Sequence, residues 1–147
     1  MKLHFLNPLQ KLKWLIYLFF MSFYISSCGN ISTGTTPIPN DSSPDGTLLV
    51  QGSFVGQNGK TVTGVAMVYL GNETGENIIR LSGISTPNET GLKVIASANG
   101  DTVYQGTLRN TSGTQNYSTS VSIRKKWNSV SIESSTQNLN YGTAILE

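Results

Sequence analysis

Side chains that do redox or nucleophilic chemistry are most often cysteine and histidine, and this chain of 147 residues contains one of each. Cys28 lies in the stretch SFYISSCGN, residues 22–30, and the histidine is His4. A lone cysteine could be a redox thiol, a nucleophile or half of an intermolecular disulfide. Paired carboxylates could do hydrolytic work instead, provided that two of them flank the bond to be cut. Asp41 and Asp45 lie in a Ser- and Pro-rich stretch, and Glu73, Glu76 and Glu89 lie in turn-like segments. No two acids fall on one strand face, which argues against a carboxylate enzyme such as a glycosidase.

The surroundings of Cys28 narrow its role. Lys2, Lys11 and Lys13 precede WLIYLFFMSFYI, an uncharged apolar run from Trp14 to Ile25. Charged residues followed by a short apolar run are the order of a secretory signal, and the run is shorter than the roughly 20 residues that a membrane-spanning helix needs. Residues 1–27 are therefore expected to be cleaved. Ile25, Ser26, Ser27 and Cys28 resemble the bacterial lipobox, an aliphatic and two small residues before a lipidated cysteine. The resemblance implies that Cys28 begins the mature chain and carries a diacylglyceryl thioether and an N-acyl chain of the palmitate kind. Two or three chains anchor stably where one, at about 0.8 kcal/mol per buried CH2, does not. Gly29 follows where an Asp would favour inner-membrane retention in enteric-type sorting, so the expectation is a cell-envelope protein, lipid-anchored, in the outer rather than the inner membrane. The alternative is an ordinary secretory signal with an incidental cysteine.

Removal of residues 1–27 takes three of the ten basic residues and the histidine. Seven basic residues then face eight acids, a net charge of −1, so the basic pI of the whole chain is no pointer to nucleic acid. Arg124, Lys125 and Lys126 are the one basic run, read as a solvated turn. Without histidine, the mature chain lacks the parts for a Ser-His-Asp or Cys-His site, a His-ligated zinc or a His-ligated haem. Catalysis is not expected, nor is a metal site. Asn72-Glu73-Thr74 and Asn88-Glu89-Thr90 would accept glycans in a eukaryotic secretory route, which the lipobox argues against.

The elements that would position any site follow from composition and periodicity. GNISTGTTPIPNDSSPDG, residues 29–46, is too polar to bury much surface and reads with Cys28 as a lipidated, flexible tether, residues 28–46. Residues 47–147 make one domain of a size that a single core can support. Runs rich in Val, Ile, Tyr and Thr predict strands near 47–54, 61–70, 77–83, 91–97, 102–108, 117–123, 128–134 and 138–146. Eight such strands predict an all-β fold, an antiparallel β-sandwich or barrel. Asn58-Gly59 and Asn99-Gly100-Asp101 mark turns. Alternation places Val130, Ile132 and Ser134 in the core, and Ser129, Ser131 and Glu133 outside. Apolar residues of both parities in 65–70 predict a central strand covered on both faces.

Three stretches carry a family resemblance: GSFVGQNGKTVTGVAMVYL, LRNTSGTQNY and SVSIESSTQNLNYGTAIL. Together they resemble the DM-thirteen family, an electron-transfer type of domain, over residues 50–146. The family's Gly-rich turn and Gln-Asn-Tyr are matched by Gly113, Gln115, Asn116 and Tyr117, and its closing pattern by Leu139, Tyr141, Gly142, Ala144 and Leu146. Its Trp-Cys pair falls on Glu133 and Ser134. The family's redox role, as a thiol or as a ligand to a prosthetic group, is attributed to that cysteine. A serine hydroxyl neither cycles to a sulfenic acid nor binds soft metals well.

The sequence thus predicts a lipid-anchored envelope protein whose non-catalytic β-domain binds a protein or glycan or has a structural role, with no cofactor. The alternative is an electron-transfer or cofactor-binding module, with haem or a metal held without the cysteine. Trp127, Tyr104, Tyr117 and Tyr141 could line a ligand pocket or relay electrons under that alternative, but aromatic residues in strands are more often core, and Met67 alone is a weak metal signal. Ser134 is expected to bond a backbone carbonyl.

Overall fold

A computed structural model describes residues 38–73, 75–120 and 126–147 of the chain. Cys28, the apolar leader, residues 28–37 of the expected tether and the Arg124-Lys125 pair lie outside the described residues. Within them there is no helix, and eight strands follow one another: β1 (Gly46–Gly56), β2 (Thr63–Gly71), β3 (Asn77–Ser85), β4 (Leu92–Ala98), β5 (Asp101–Thr107), β6 (Ser112–Thr119), β7 (Trp127–Ser134) and β8 (Leu139–Ile145). All neighbours are antiparallel in one curled sheet of order β5-β4-β7-β8-β1-β2-β3-β6. The all-β expectation holds.

β1 is the hinge of the curl. Residues 46–53 pair with β2, whereas Phe54, Val55 and Gly56 pair with Ala144, Thr143 and Gly142 of β8. A strand that serves two partners in succession must bend, and the bend is how one sheet wraps its inner face around a core. Gly52 sits at the crossing, where an added Cβ would run into the Ile145 carbonyl.

Alternation then sorts the side chains. Val130, Ile132 and Ser134 of β7 face inward with Ala66 and Val68 of β2, Ile79 and Leu81 of β3, Val94 of β4, and Tyr141 and Ala144 of β8. The other face of β2 is different from the expectation: Val65, Met67 and Tyr69 are only half-buried. A single curled sheet has one inside, and among the described residues no second layer covers the outside of β2. The Asn-Gly turns are as predicted, with positive φ at Asn58, Gly59, Asn99 and Gly100.

β6 begins earlier than the strand expected at 117–123, of which 121–123 lie outside the described residues, and it takes in the Gly-rich turn that the resemblance implied. The strand begins at Ser112, and Gly113 pairs with Ile84 inside the ladder. Gly113 has φ 97 at a register irregularity, so the glycine serves a bulge rather than a turn.

Both sheet edges are blunted. β5 carries a register shift between its pairs with Ala96 and Ser97. Along β6 runs a short strap: Asn40 bridges Thr114 in parallel, Asp41 N donates to Thr114 O (3.1 Å), and Thr114 N donates to Pro39 O (2.6 Å). Pro39 in the strap has no N–H to donate to a further strand. Residues 39–42 of the expected tether are therefore hydrogen-bonded to the β-domain.

Candidate functional site

Ser134, expected on the inner face of its strand, closes β7 beside Leu92 of β4 and is 2% exposed. Its inward direction was legible from strand parity. Its partner was not. The hydroxyl lies 3.0 Å from Thr136 Oγ1 and accepts a bond from Gln137 N (3.2 Å), in place of the expected backbone carbonyl. The reason is local: the strand ends at Ser134, and the turn to β8 folds its own polar groups over the hydroxyl. Glu133, on the opposite face of β7, accepts from Ser131 Oγ (2.9 Å).

That turn leads to a polar cluster joining three loops at one end of the sheet. Gln137 Nε2 donates to Glu89 Oε2 (2.7 Å), and the Tyr141 hydroxyl donates to the same oxygen at short range. Lys60 Nζ bonds Glu89 Oε1 (2.8 Å) and stands 4.7 Å from the centroid of the Tyr141 ring. Tyr141 is fully buried, so its hydroxyl needs a partner where the ring meets the surface, and Glu89 supplies it. Hydrogen bonds from Lys60 first, then Tyr141, hold the Glu89 carboxyl below its usual range, and the bond to Glu89 pushes Lys60 up. Near neutral pH, Glu89 stays an anion and Lys60 a cation. Such a pair holds loops together; it is poised neither as a general acid nor as an amine nucleophile.

The second cluster uses the Gln-Asn-Tyr motif at the other motif-bearing strand, β6. Gln115, fully buried, donates through Nε2 to Asn110 O (2.7 Å) and Ser112 O (3.4 Å). Its Oε1 accepts from Asn110 N (3.2 Å) and the Tyr117 hydroxyl (2.8 Å). One side chain thus satisfies a loop backbone that would otherwise be buried unpaired. Asn116 faces the strap: its N–H donates to Asp41 Oδ2 (2.7 Å), its Nδ2 to Ser42 O (2.9 Å), and its Oδ1 accepts from Arg80 Nη1 (3.0 Å). Arg80 also donates to the Asp41 and Ser42 carbonyls (3.1 and 2.6 Å), and Arg109 forms a short ion pair with Asp41. The Asn116 backbone N–H, then Arg109, lower the Asp41 carboxyl from its usual value.

Tyr117 turns inward to meet Tyr104 of β5, ring centroids 5.8 Å apart and tilted by 56°. Its hydroxyl accepts from Arg109 N (3.2 Å), and the Arg109 guanidinium lies 5.4 Å from its ring centroid. Burial pushes both phenols up. Trp127, Tyr117 and Tyr141 are buried in the core cluster and Tyr104 packs against it. Met67 sits on the outer face, where Tyr69 donates to its sulfur (3.4 Å).

The closing pattern has physical reasons too. Ala144 and Leu146 are core, Leu139 packs against it, and a Cβ on Gly142 would come 2.7 Å from Val62 Cβ. Sequence reasoning placed Asp41 in a tether and Glu89 in a turn, and assigned nothing to Lys60, Arg80 or Arg109. The readable signal was indirect: buried Tyr and Gln side chains must find polar partners. Among the described residues, no three of His, Cys, Asp and Glu gather as a metal group would. No family model, curated protein or solved structure matches this chain.

Proposed function

We propose that the chain is a lipid-anchored lipoprotein of the cell envelope, held at the outer membrane through Cys28, whose β-domain acts by binding a protein or glycan or as a structural element and not by catalysis. The observation that carries the non-catalytic half is how the polar side chains at the motif positions are used. Ser134, Gln115, Asn116 and Glu89 are all engaged with neighbouring loops and strands. They brace the fold instead of converging on an open space.

The anchor half rests on the charged leader, the apolar run and Ile25-Ser26-Ser27 before Cys28. The strap adds a mechanical sense to it. A domain tethered at its N terminus needs its first residues fastened, and Asp41 and Ser42 are fastened by Arg80, Arg109 and Asn116.

Phase partition of the full chain expressed in a bacterial host tests the reading. Wild-type protein enters detergent and its first mature peptide carries acyl mass; Cys28→Ala protein loses both. A Cys28→Ala chain that is processed at the same site and remains membrane-bound sinks the anchor.

A further inference from the structure

Asn58-Gly59 and Asn99-Gly100 sit at the tips of two turns, with φ 52 and 53 at the asparagines. Asparagine before glycine is the chemically labile arrangement, because a glycine nitrogen without a neighbouring Cβ can reach the asparagine amide carbon. Both tips are exposed, and a Cβ on either glycine would meet nothing within 4 Å. Access is thus equal, and hydrogen bonding makes the difference.

At Asn99 the bonding blocks the reaction at both ends. The Gly100 N–H, which must lose its proton to become the nucleophile, donates to Asn128 Oδ1 (3.0 Å). The Asn99 Oδ1 accepts from Lys126 N (3.0 Å), and Asn99 N donates to Lys126 O (2.9 Å). At Asn58 the restraint is a single bond from Nδ2 to Asn140 O (2.8 Å), and no described residue accepts from the Gly59 N–H.

We propose that Asn58 is a site of spontaneous deamidation and that Asn99 is protected from it. The deprotonated Gly59 nitrogen attacks Asn58 Cγ, a C–N bond forms, the bond to Nδ2 breaks and ammonia leaves. Water then opens the succinimide, at Cγ to give aspartate or at the main-chain carbonyl to give isoaspartate. Either product adds one negative charge. Aspartate replaces the donor to Asn140 O by an acceptor, and isoaspartate lengthens a turn closed by Lys60 N donating to Gln57 O (2.9 Å). Lys60 is held to Glu89 from this turn, so the modification acts on the three-loop cluster.

The test is peptide mapping of the full chain, with aspartate and isoaspartate resolved, after incubation in mildly alkaline buffer. Asn58 converts faster than Asn99 by on the order of tenfold, the factor that one or two net hydrogen bonds supply. Asn128→Ala, which frees the Gly100 N–H, raises conversion at Asn99 and leaves Asn58 unchanged. Equal or faster conversion at Asn99 in the wild-type chain overturns the proposal, as does an Asn58 that converts no faster than asparagines not followed by glycine. An Asn99 rate indifferent to Asn128→Ala overturns the protection.

Discussion

Tyr104 and Tyr117, one on each edge strand, meet ring to ring with centroids 5.8 Å apart, so the curled sheet is drawn together by side chains at the point where its two edges face. Tyr117 is 6% exposed and its hydroxyl is shared between Gln115 and Arg109. Tyr117→Ala should therefore cost about 3 kcal/mol or more in urea unfolding, Tyr104→Ala less, and the double-mutant coupling should be about 0.5–1.5 kcal/mol. A Cβ on Gly106 would run into the Tyr104 ring, so Gly106→Val should displace that ring and mimic Tyr104→Ala. Independent, additive effects of the two tyrosines would refute a shared seam.

Acid should loosen the strap. The Asp41 carboxyl is lowered from 3.8 when folded, so its stabilisation is present above that value and is lost as pH falls through the lower folded value. At neutral pH, Asp41→Ala should raise hydrogen exchange at the Thr114 and Asn116 amides by on the order of tenfold, the worth of a charge-assisted bond, and leave β7 amides unchanged. Unaltered exchange at both amides would show that the strap does not depend on Asp41.

The Lys60–Glu89 pair has a window with two edges. Glu89 is lowered from 4.5, so its contribution is lost on acidification below that value; Lys60 is raised from 10.5, so its contribution is lost as pH rises above 10.5. Tyr141→Phe removes the hydroxyl that reaches Glu89 and should cost about 0.5–1.5 kcal/mol with the core otherwise intact. A stability profile for Glu89→Gln that keeps the wild-type acid limb would argue against the pair.

Ser134→Ala takes the acceptor from Gln137 N and should cost about 1 kcal/mol, whereas Ser134→Cys should fold with little loss and give a thiol slow to react with bulky reagents. A rapidly modified thiol at 134 would place the side chain at the surface, against its 2% exposure.

Strand order along the chain, the core parity of β7 and the two Asn-Gly turns could be read from the sequence because alternation and positive φ are local signals. β6 could not. Its first residues, Ser112 and Gly113, look like a turn, and what makes them a strand is pairing with Ile84 and Ser85, which lie far back in the chain. The strap was hidden for the same reason: the Ser- and Pro-rich composition near Asp41 says tether, and Arg80, Arg109 and Asn116, which hold it, come from three separate places in the chain. Ser134 shows the limit within one residue, since parity gave its direction while its partners depended on the fold of the next turn.

The proposal tested most directly is that the β-domain does not work as a redox carrier. The most direct measurement is the visible absorption spectrum and metal content of the full chain purified from its own host, with Ser134→Cys alongside. The wild-type protein should be colourless and metal-free. A stoichiometric metal or a haem-like absorption band in the wild-type protein would contradict it.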